Sequence, residues 1–115
     1  MKLIIKTVDI ELDNNLRQYI DDKLGVLDRF FKGHHDEAVE LRVEVGRPSA
    51  HHKKGDVFYA EANLKGPDIF FRATHEDWDL RIAIDRVRDI LERDITEYKD
   101  KKIDQSRRNK DDVII

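Results

Sequence analysis

The 115-residue chain is predicted to fold as α+β, a two-layer sandwich in the order β-α-β-β-β-α, with a four-stranded sheet and both helices packed on one face. Three observations predict it. Two stretches carry apolar residues at helical spacing. Three alternating or β-branched runs lie between them, and one more β-branched run precedes the first helix. A helix with a single apolar stripe must bury that stripe, and a sheet with one apolar face offers the matching surface. Two such helices therefore cover one face and leave the other solvated.

The elements follow in order. "KLIIKTV", residues 2–8, is β-branched and apolar and reads as the first strand. In "LRQYIDDKLGVLDRFF" the residues Leu16, Ile20, Leu24, Leu27 and Phe31 recur at steps of four, four, three and four, one continuous helical stripe. Asp13 or Asn14 is placed to cap its start, and Gly33 lies where a helix ends in a left-handed turn. Gly25 inside this stripe costs ~1 kcal/mol against alanine, so close packing on the sheet is expected there. "EAVELRVEVGR" alternates, with Val39, Leu41, Val43 and Val45 on one side and Glu40, Arg42 and Glu44 on the other. "VFYAEANLK" does the same with Phe58, Ala60, Ala62 and Leu64. "GPD" marks a tight turn, and "IFFRAT" is a short fourth strand. In "HEDWDLRIAIDRVRDILERDITEYKDKK" the stripe Leu80, Ile84, Val87, Leu91, Ile95 and Tyr98 predicts a long second helix. Residues 1–102 thus form the folded domain, and 103–115 a charged, flexible tail.

Composition narrows the class. Charged residues make up 41% of the chain, the net charge is −3, and 39% of residues are hydrophobic. Disordered chains share the charge but lack periodic apolar residues, so a folded body with a densely charged surface is expected. There is no cysteine, which excludes disulfides and thiolate zinc sites. No signal-peptide core or membrane-length apolar run appears, and a soluble, cytoplasmic protein is expected.

The polar stretch "RPSAHHKKGD" connects the second and third strands. His51 and His52 are adjacent and point opposite ways in an extended segment, and His34 and His35 share that defect. A metal takes ligands two apart on a strand or four apart on a helix. These histidines, and His75, therefore read as ordinary loop or surface residues, with no metal and no other cofactor. No nucleophile elbow or glycine-rich phosphate loop occurs, so no enzyme is expected. The helix charges have two readings. Asp77–Arg81, Asp89–Arg93 and Glu97–Lys101 are four apart with the acid first, the order that stabilises a helix, and make an ion-paired solvated face. Alternatively Arg17, Lys23, Arg29 and Lys32 on the first helix and Arg86, Arg93, Lys99, Lys101 and Lys102 on the second line a groove that follows a phosphate backbone. Arg47, Lys53 and Lys54 add a loop patch. Phe30, Phe31, Phe70 and Phe71 read as core or partial core, leaving Tyr59 and Trp78 to face outward. That is too little for a stacking platform, and it favours recognition of folded RNA by shape and backbone.

The second helix, "DLRIAIDRVRDILERDITEYKDK", resembles the D-(M/L)-Y-x-A-I-D helix of the ribosome hibernation-promoting factors. This family is also called ribosome-associated inhibitor A or the sigma-54 modulation protein family. Asp79, Leu80, Ala83, Ile84, Asp85, Asp89, Leu91, Arg93, Lys99 and Lys101 match its pattern. The first helix agrees at Leu16, Arg17, Lys23, Leu24, Leu27 and Phe31, and "IEL" at 10–12 is similar to the family's N-I-E segment. The resemblance covers roughly residues 3–102 and is to the short type, without a C-terminal dimerisation domain. It departs at Val26, Ile90 and Glu97, where the family has lysine, at Thr7-Val8 in place of Gly-Arg, and at Arg81 in place of tyrosine. Arg86 and Arg88 add charge.

The resemblance implies the same β-α-β-β-β-α fold and binding of the small ribosomal subunit in the channel used by messenger and transfer RNA. It implies translation silenced in stress or stationary phase, through basic side chains that touch ribosomal RNA. Of the candidate RNA-binding residues, Arg17, Lys23, Arg93, Lys99 and Lys101 match the family pattern; Arg29, Arg81, Arg86 and Arg88 join them from this chain's own charge pattern, with Lys53 and Lys54 as a secondary patch. It implies no catalysis, cofactor, membrane or small-molecule substrate, and a free monomer. The alternative is a protein-interaction or regulatory domain of the same fold that no longer binds ribosomes. Reversing Arg93 and Lys99 to glutamate is expected to weaken binding and leave stability nearly unchanged.

Overall fold

The computed structural model describes residues 1–31, 38–48 and 57–113, with side chains through 104 in the last helix. Strand β1 is Lys2–Val8. Helix α1, Asn14–Leu24, starts at Asp13, whose carboxylate accepts from the Leu16 amide at 2.8 Å and so satisfies one of the free N–H groups of the first turn. The predicted single helix does not continue to Phe31. It tightens after Leu24 into a 3-10 helix, Gly25–Phe30. Side chains three apart eclipse in that geometry, so Leu24 and Leu27 stay on the core side, each at 0% exposure. Gly25 sits at the junction in ordinary helical conformation, φ −60° and ψ −25°, and a Cβ built there meets no atom within 4 Å. The expected close packing at Gly25 is therefore wrong.

The sheet runs β1-β2-β3-β4, with β2 Glu40–Gly46, β3 Phe58–Gly66 and β4 Ile69–Asp77. β1 and β2 pair in parallel across the α1 connection, and β2–β3 and β3–β4 pair antiparallel. Leu41 is opposite Leu3 and Leu64, and Ala62 is opposite Val43 and Ala73, so the middle of one face is apolar, with Thr7 and His75 in the row of Val45 and Ala60 toward one end. β4 takes in His75–Asp77, placed in the helix by the sequence pattern. Pairing of His75 with Ala60 and Asp77 with Phe58 holds them in the sheet. The second helix, α2, is Leu80–Val113 and runs past Lys102, where the pattern had ended it.

Both helices lie on the apolar face, as predicted. Ile20 and Leu24 of α1, and Ala83, Ile84, Val87, Leu91 and Ile95 of α2, share one core with the strand residues. Burying each large aliphatic side chain contributes about 1.5–3 kcal/mol, which dictates the layer order. Phe70 does not join them. It is 62% exposed, because the two-residue period of β4 sends Phe71 and Ala73 inward and Phe70 and Arg72 outward. On the open face Lys6 pairs with Glu44, Arg42 with Glu40 and Arg72 with Glu61, and the Tyr59 hydroxyl donates to Glu44 at 2.8 Å. Among the described residues no polar side chain is buried, and no helix is long and apolar enough to cross a membrane. The polar groups of the described residues are thus at the surface.

Candidate nucleic-acid interface

The seam between α1, its 3-10 extension and α2 holds two aromatic side chains, and each gathers one cation from either side. Tyr19 of α1 lies under the Lys23 ammonium at 5.6 Å and under the Arg81 guanidinium at 5.0 Å from its ring centre. Its hydroxyl donates to Asp85 of α2 at 2.7 Å. Burial, then that hydrogen bond, pushes the Tyr19 phenol up to about 12. Phe30 of the 3-10 helix lies under Arg29 at 4.9 Å and Lys99 at 5.7 Å. Lys99 also donates to the Phe30 carbonyl and sits over the Phe31 ring. Arg29 is paired with Glu92 of α2. Cations over aromatic faces are held by the ring quadrupole and keep outward-facing donors, so each ring fixes a pair of positive groups contributed by two elements.

Helical periodicity orders the rest. Arg81, Asp85, Arg88, Glu92 and Lys99 fall on the flank of α2 that meets Tyr19 and Phe30. At about 1.5 Å rise per residue, Arg81 and Lys99 are ~27 Å apart along the axis, with Arg88 between them. Arg88 is bound to Asp89 at 2.8 Å, and that bond raises its pKa further, so it stays charged. Arg86 and Arg93 lie on the outer face, opposite the buried Ile84, Val87 and Leu91. Lys101 lies on the flank away from the seam. Arg17 is about 200° round α1 from Tyr19 and points away from α2. Among the described residues no carboxylate pairs with Arg17, Arg86 or Lys101, whereas Arg93 holds Asp94 at 3.3 Å.

The sequence-predicted set is thus partly assembled. Lys23, Arg29, Arg81, Arg88 and Lys99 share the seam; Arg17, Arg86, Arg93 and Lys101 do not. Lys53 and Lys54, like Lys32 and the four histidines His34, His35, His51 and His52, lie outside the described residues. Among the described residues no group of histidine, aspartate and glutamate is arranged to hold a metal ion. The expected ion pairs four apart are replaced. Asp89 is taken by Arg88 and Arg93 by Asp94, because a long guanidinium arm reaches its neighbour's carboxylate. Asp77 instead accepts from the Asp79 amide at 3.0 Å, and Asp79 in turn caps α2 by accepting from the Arg81 amide at 2.9 Å. Sequence reasoning missed Tyr19 and Phe30 as organisers of the cations. The signal was present for Tyr19, four residues before Lys23 on one helix face, but its meeting with Arg81 is tertiary.

Among the described residues the interior is apolar and the ordered cations lie on the surface. The chain belongs to the family described as Sigma 54 modulation protein / S30EA ribosomal protein, whose pattern matches residues 3–103. It is similar to the ribosome hibernation promotion factor of Lactococcus lactis subsp. cremoris (strain MG1363), at 29% identity over 99 residues, covering 86% of this chain and 50% of that protein. It is also 27% identical over 105 residues to the ribosome hibernation promoting factor of Azotobacter vinelandii, covering 91% of this chain and 89% of the relative. The chain thus spans about half the length of some curated relatives it matches and most of another. The crystal structure of the Thermus thermophilus Protein Y N-terminal domain superposes with a TM-score of 0.68 at 28% identity, covering 85% of this chain and 99% of that one. The reading of the chain as a member of this family, with this fold and without catalysis, agrees with these findings.

Proposed function

We propose that this chain is a ribosome-associated hibernation factor. Its helix layer docks on the small ribosomal subunit, in the channel of messenger and transfer RNA, and blocks translation. The observation that carries the reading is the pairing of cations across the seam, Lys23 with Arg81 on Tyr19 and Arg29 with Lys99 on Phe30. The names borne by the family relatives support the ribosome as partner. Such seats accept phosphate oxygens and position the protein without reading bases. One seam acid is engaged with a seat cation, since Glu92 pairs with Arg29, and the seat on Tyr19 is the more open one. Asp85 is held by Tyr19 and Glu92 by Arg29, so Lys23 and Arg81 keep their donors for an incoming phosphate. Arg86 and Arg93 on the outer face widen the contact, and Lys53 and Lys54 add to it from the loop. Residues 1–102 carry the binding, and 103–115 extend it as a charged tail.

A second reading has one observation in its favour. The chain is acidic overall, with net charge −3, as a domain of this fold that regulates proteins rather than ribosomes would be. Co-sedimentation with small subunits over a salt series separates the two. For the ribosome reading, affinity falls by about 0.7–0.9 log units per tenfold salt for each phosphate neutralised. Lys23→Glu with Arg81→Glu then weakens binding and flattens that slope. Absence of co-sedimentation at low salt supports the second reading, and binding that ignores salt removes the phosphate seats.

A further inference from the structure

Where α2 leaves the sheet, a cleft of about 470 Å³ opens between it, the end of the 3-10 helix and the β3–β4 turn. We infer that this cleft is a binding site for an anionic amphiphile, a small molecule with one apolar chain or ring and one negatively charged group. Its origin is a mismatch of lengths. α2 has 34 residues, ~51 Å at helical rise, whereas the longest strands have nine residues, ~30 Å. The helix overhangs, and its inner face has no strand to cover it.

The walls are apolar: Val39, Ile69, Phe71 and Ile95 face in, and Tyr98 stands edge-on to Phe71 with ring centres 5.7 Å apart. Ile103 at the mouth is 51% exposed, an aliphatic side chain left in water beside an apolar hollow. Two ammonium groups stand at the rim. Lys99 is engaged by the Phe30 carbonyl, and Lys102 lies over the outer edge of the cleft on Tyr98, 5.4 Å from its ring centre. Among the described lining residues the one carboxylate, Asp68, is exposed on the turn. The volume lies within the range of small-ligand pockets, roughly 300–1,000 Å³. Charge complementarity chooses among apolar ligands. A neutral hydrocarbon leaves the Lys102 ammonium without an anion, whereas a carboxylate or sulfonate at the rim meets it.

The test uses the full chain and two probes, anilinonaphthalene sulfonate and dodecanoate. The expected result is a saturable, single-site fluorescence rise with the sulfonate, displaced by dodecanoate but only weakly by dodecanol. Lys102→Glu and, separately, Ile103→Asp each weaken binding several-fold, with near-ultraviolet circular dichroism unchanged to show that the fold is intact. Nuclear magnetic resonance shifts on adding dodecanoate then fall on Ile69, Ile95, Tyr98 and Ile103. No saturable signal, as when the chain itself fills the cleft, overturns the inference. So does dodecanol binding as well as dodecanoate, or binding unchanged in both variants. Ribosome binding enters none of these measurements, so the inference stands or falls apart from the proposed function.

Discussion

Lys99 shows how a residue can look like a free surface charge and be a structural one. Its ammonium closes the 3-10 helix by donating to the Phe30 carbonyl, one of the C-terminal carbonyls that no helical N–H reaches. Lys99→Glu should therefore destabilise by about 1.5–3 kcal/mol, the worth of a hydrogen bond to a charged group. It should appear as a lower urea midpoint at unchanged slope. Arg93→Glu should cost less than about 1 kcal/mol, because Arg93 is 64% exposed and paired only with its neighbour. A nearly neutral reversal is therefore expected for Arg93 alone, whereas the sequence pattern leads to that expectation for both. The tyrosines make a second residue-scale prediction. Burial first, then the carboxylates of Asp85 and Glu44, raise Tyr19 and Tyr59 from 10.0 to about 12. A raised pKa contributes stability that is fully present below the unfolded value of 10.0 and is lost as pH rises through about 12. Ultraviolet titration of the folded protein should show two of its three tyrosines ionising only near that upper value. Tyr19→Phe and Tyr59→Phe should each remove one late-titrating group.

At the scale of elements, two glycines give opposite expectations. Gly25 joins α1 to the 3-10 helix with helical dihedrals and open space around its missing side chain. Gly25→Ala should stabilise by about 0.5–1 kcal/mol, chiefly by narrowing the unfolded ensemble, and raise the melting temperature. Gly46 pairs with Val8 in the parallel ladder of β1 and β2, and a Cβ there falls 2.2 Å from the Val8 carbonyl oxygen. A backbone atom cannot swing aside as a side chain can. Gly46→Ala should cost on the order of 3 kcal/mol, the upper end of overpacking, and hydrogen exchange of the β1 amides should speed up most. The 3-10 extension has a functional consequence too. Phe30 ends that extension and meets Arg29 and Lys99 there, so the lower cation pair depends on the change of helix type.

For the whole molecule, the two-layer build divides the surface into a helix side and an open sheet side of different character. The open face is laced by internal pairs, Lys6 with Glu44 and Arg42 with Glu40. If ribosome binding belongs to the helix layer, Lys6→Gln with Arg42→Gln should leave small-subunit co-sedimentation and its salt slope unchanged. A flattened slope in that variant would move the interface to the sheet.

Much of this was legible in the residues themselves. The order of elements, the inward side of β2 and β3, the Asp13 cap and the two apolar stripes are local patterns, because backbone sterics and side-chain period act over a few residues. One face of burial then follows, since stripes of leucine, isoleucine and valine have nowhere else to go. The site is different. Tyr19 meets Asp85 across 66 residues and Lys99 meets Phe30 across 69. No local period encodes the axial offset at which two helices pack, and that offset decides which cations share a ring, which are held by a carboxylate and which stay open. The turn from α-helix to 3-10 after Leu24 belongs there as well, because it serves the burial of Leu27 against a sheet the helix does not contain. Chain chemistry determined that there would be a sheet, two helices and a charged surface; only packing across elements decided how those charges were arranged.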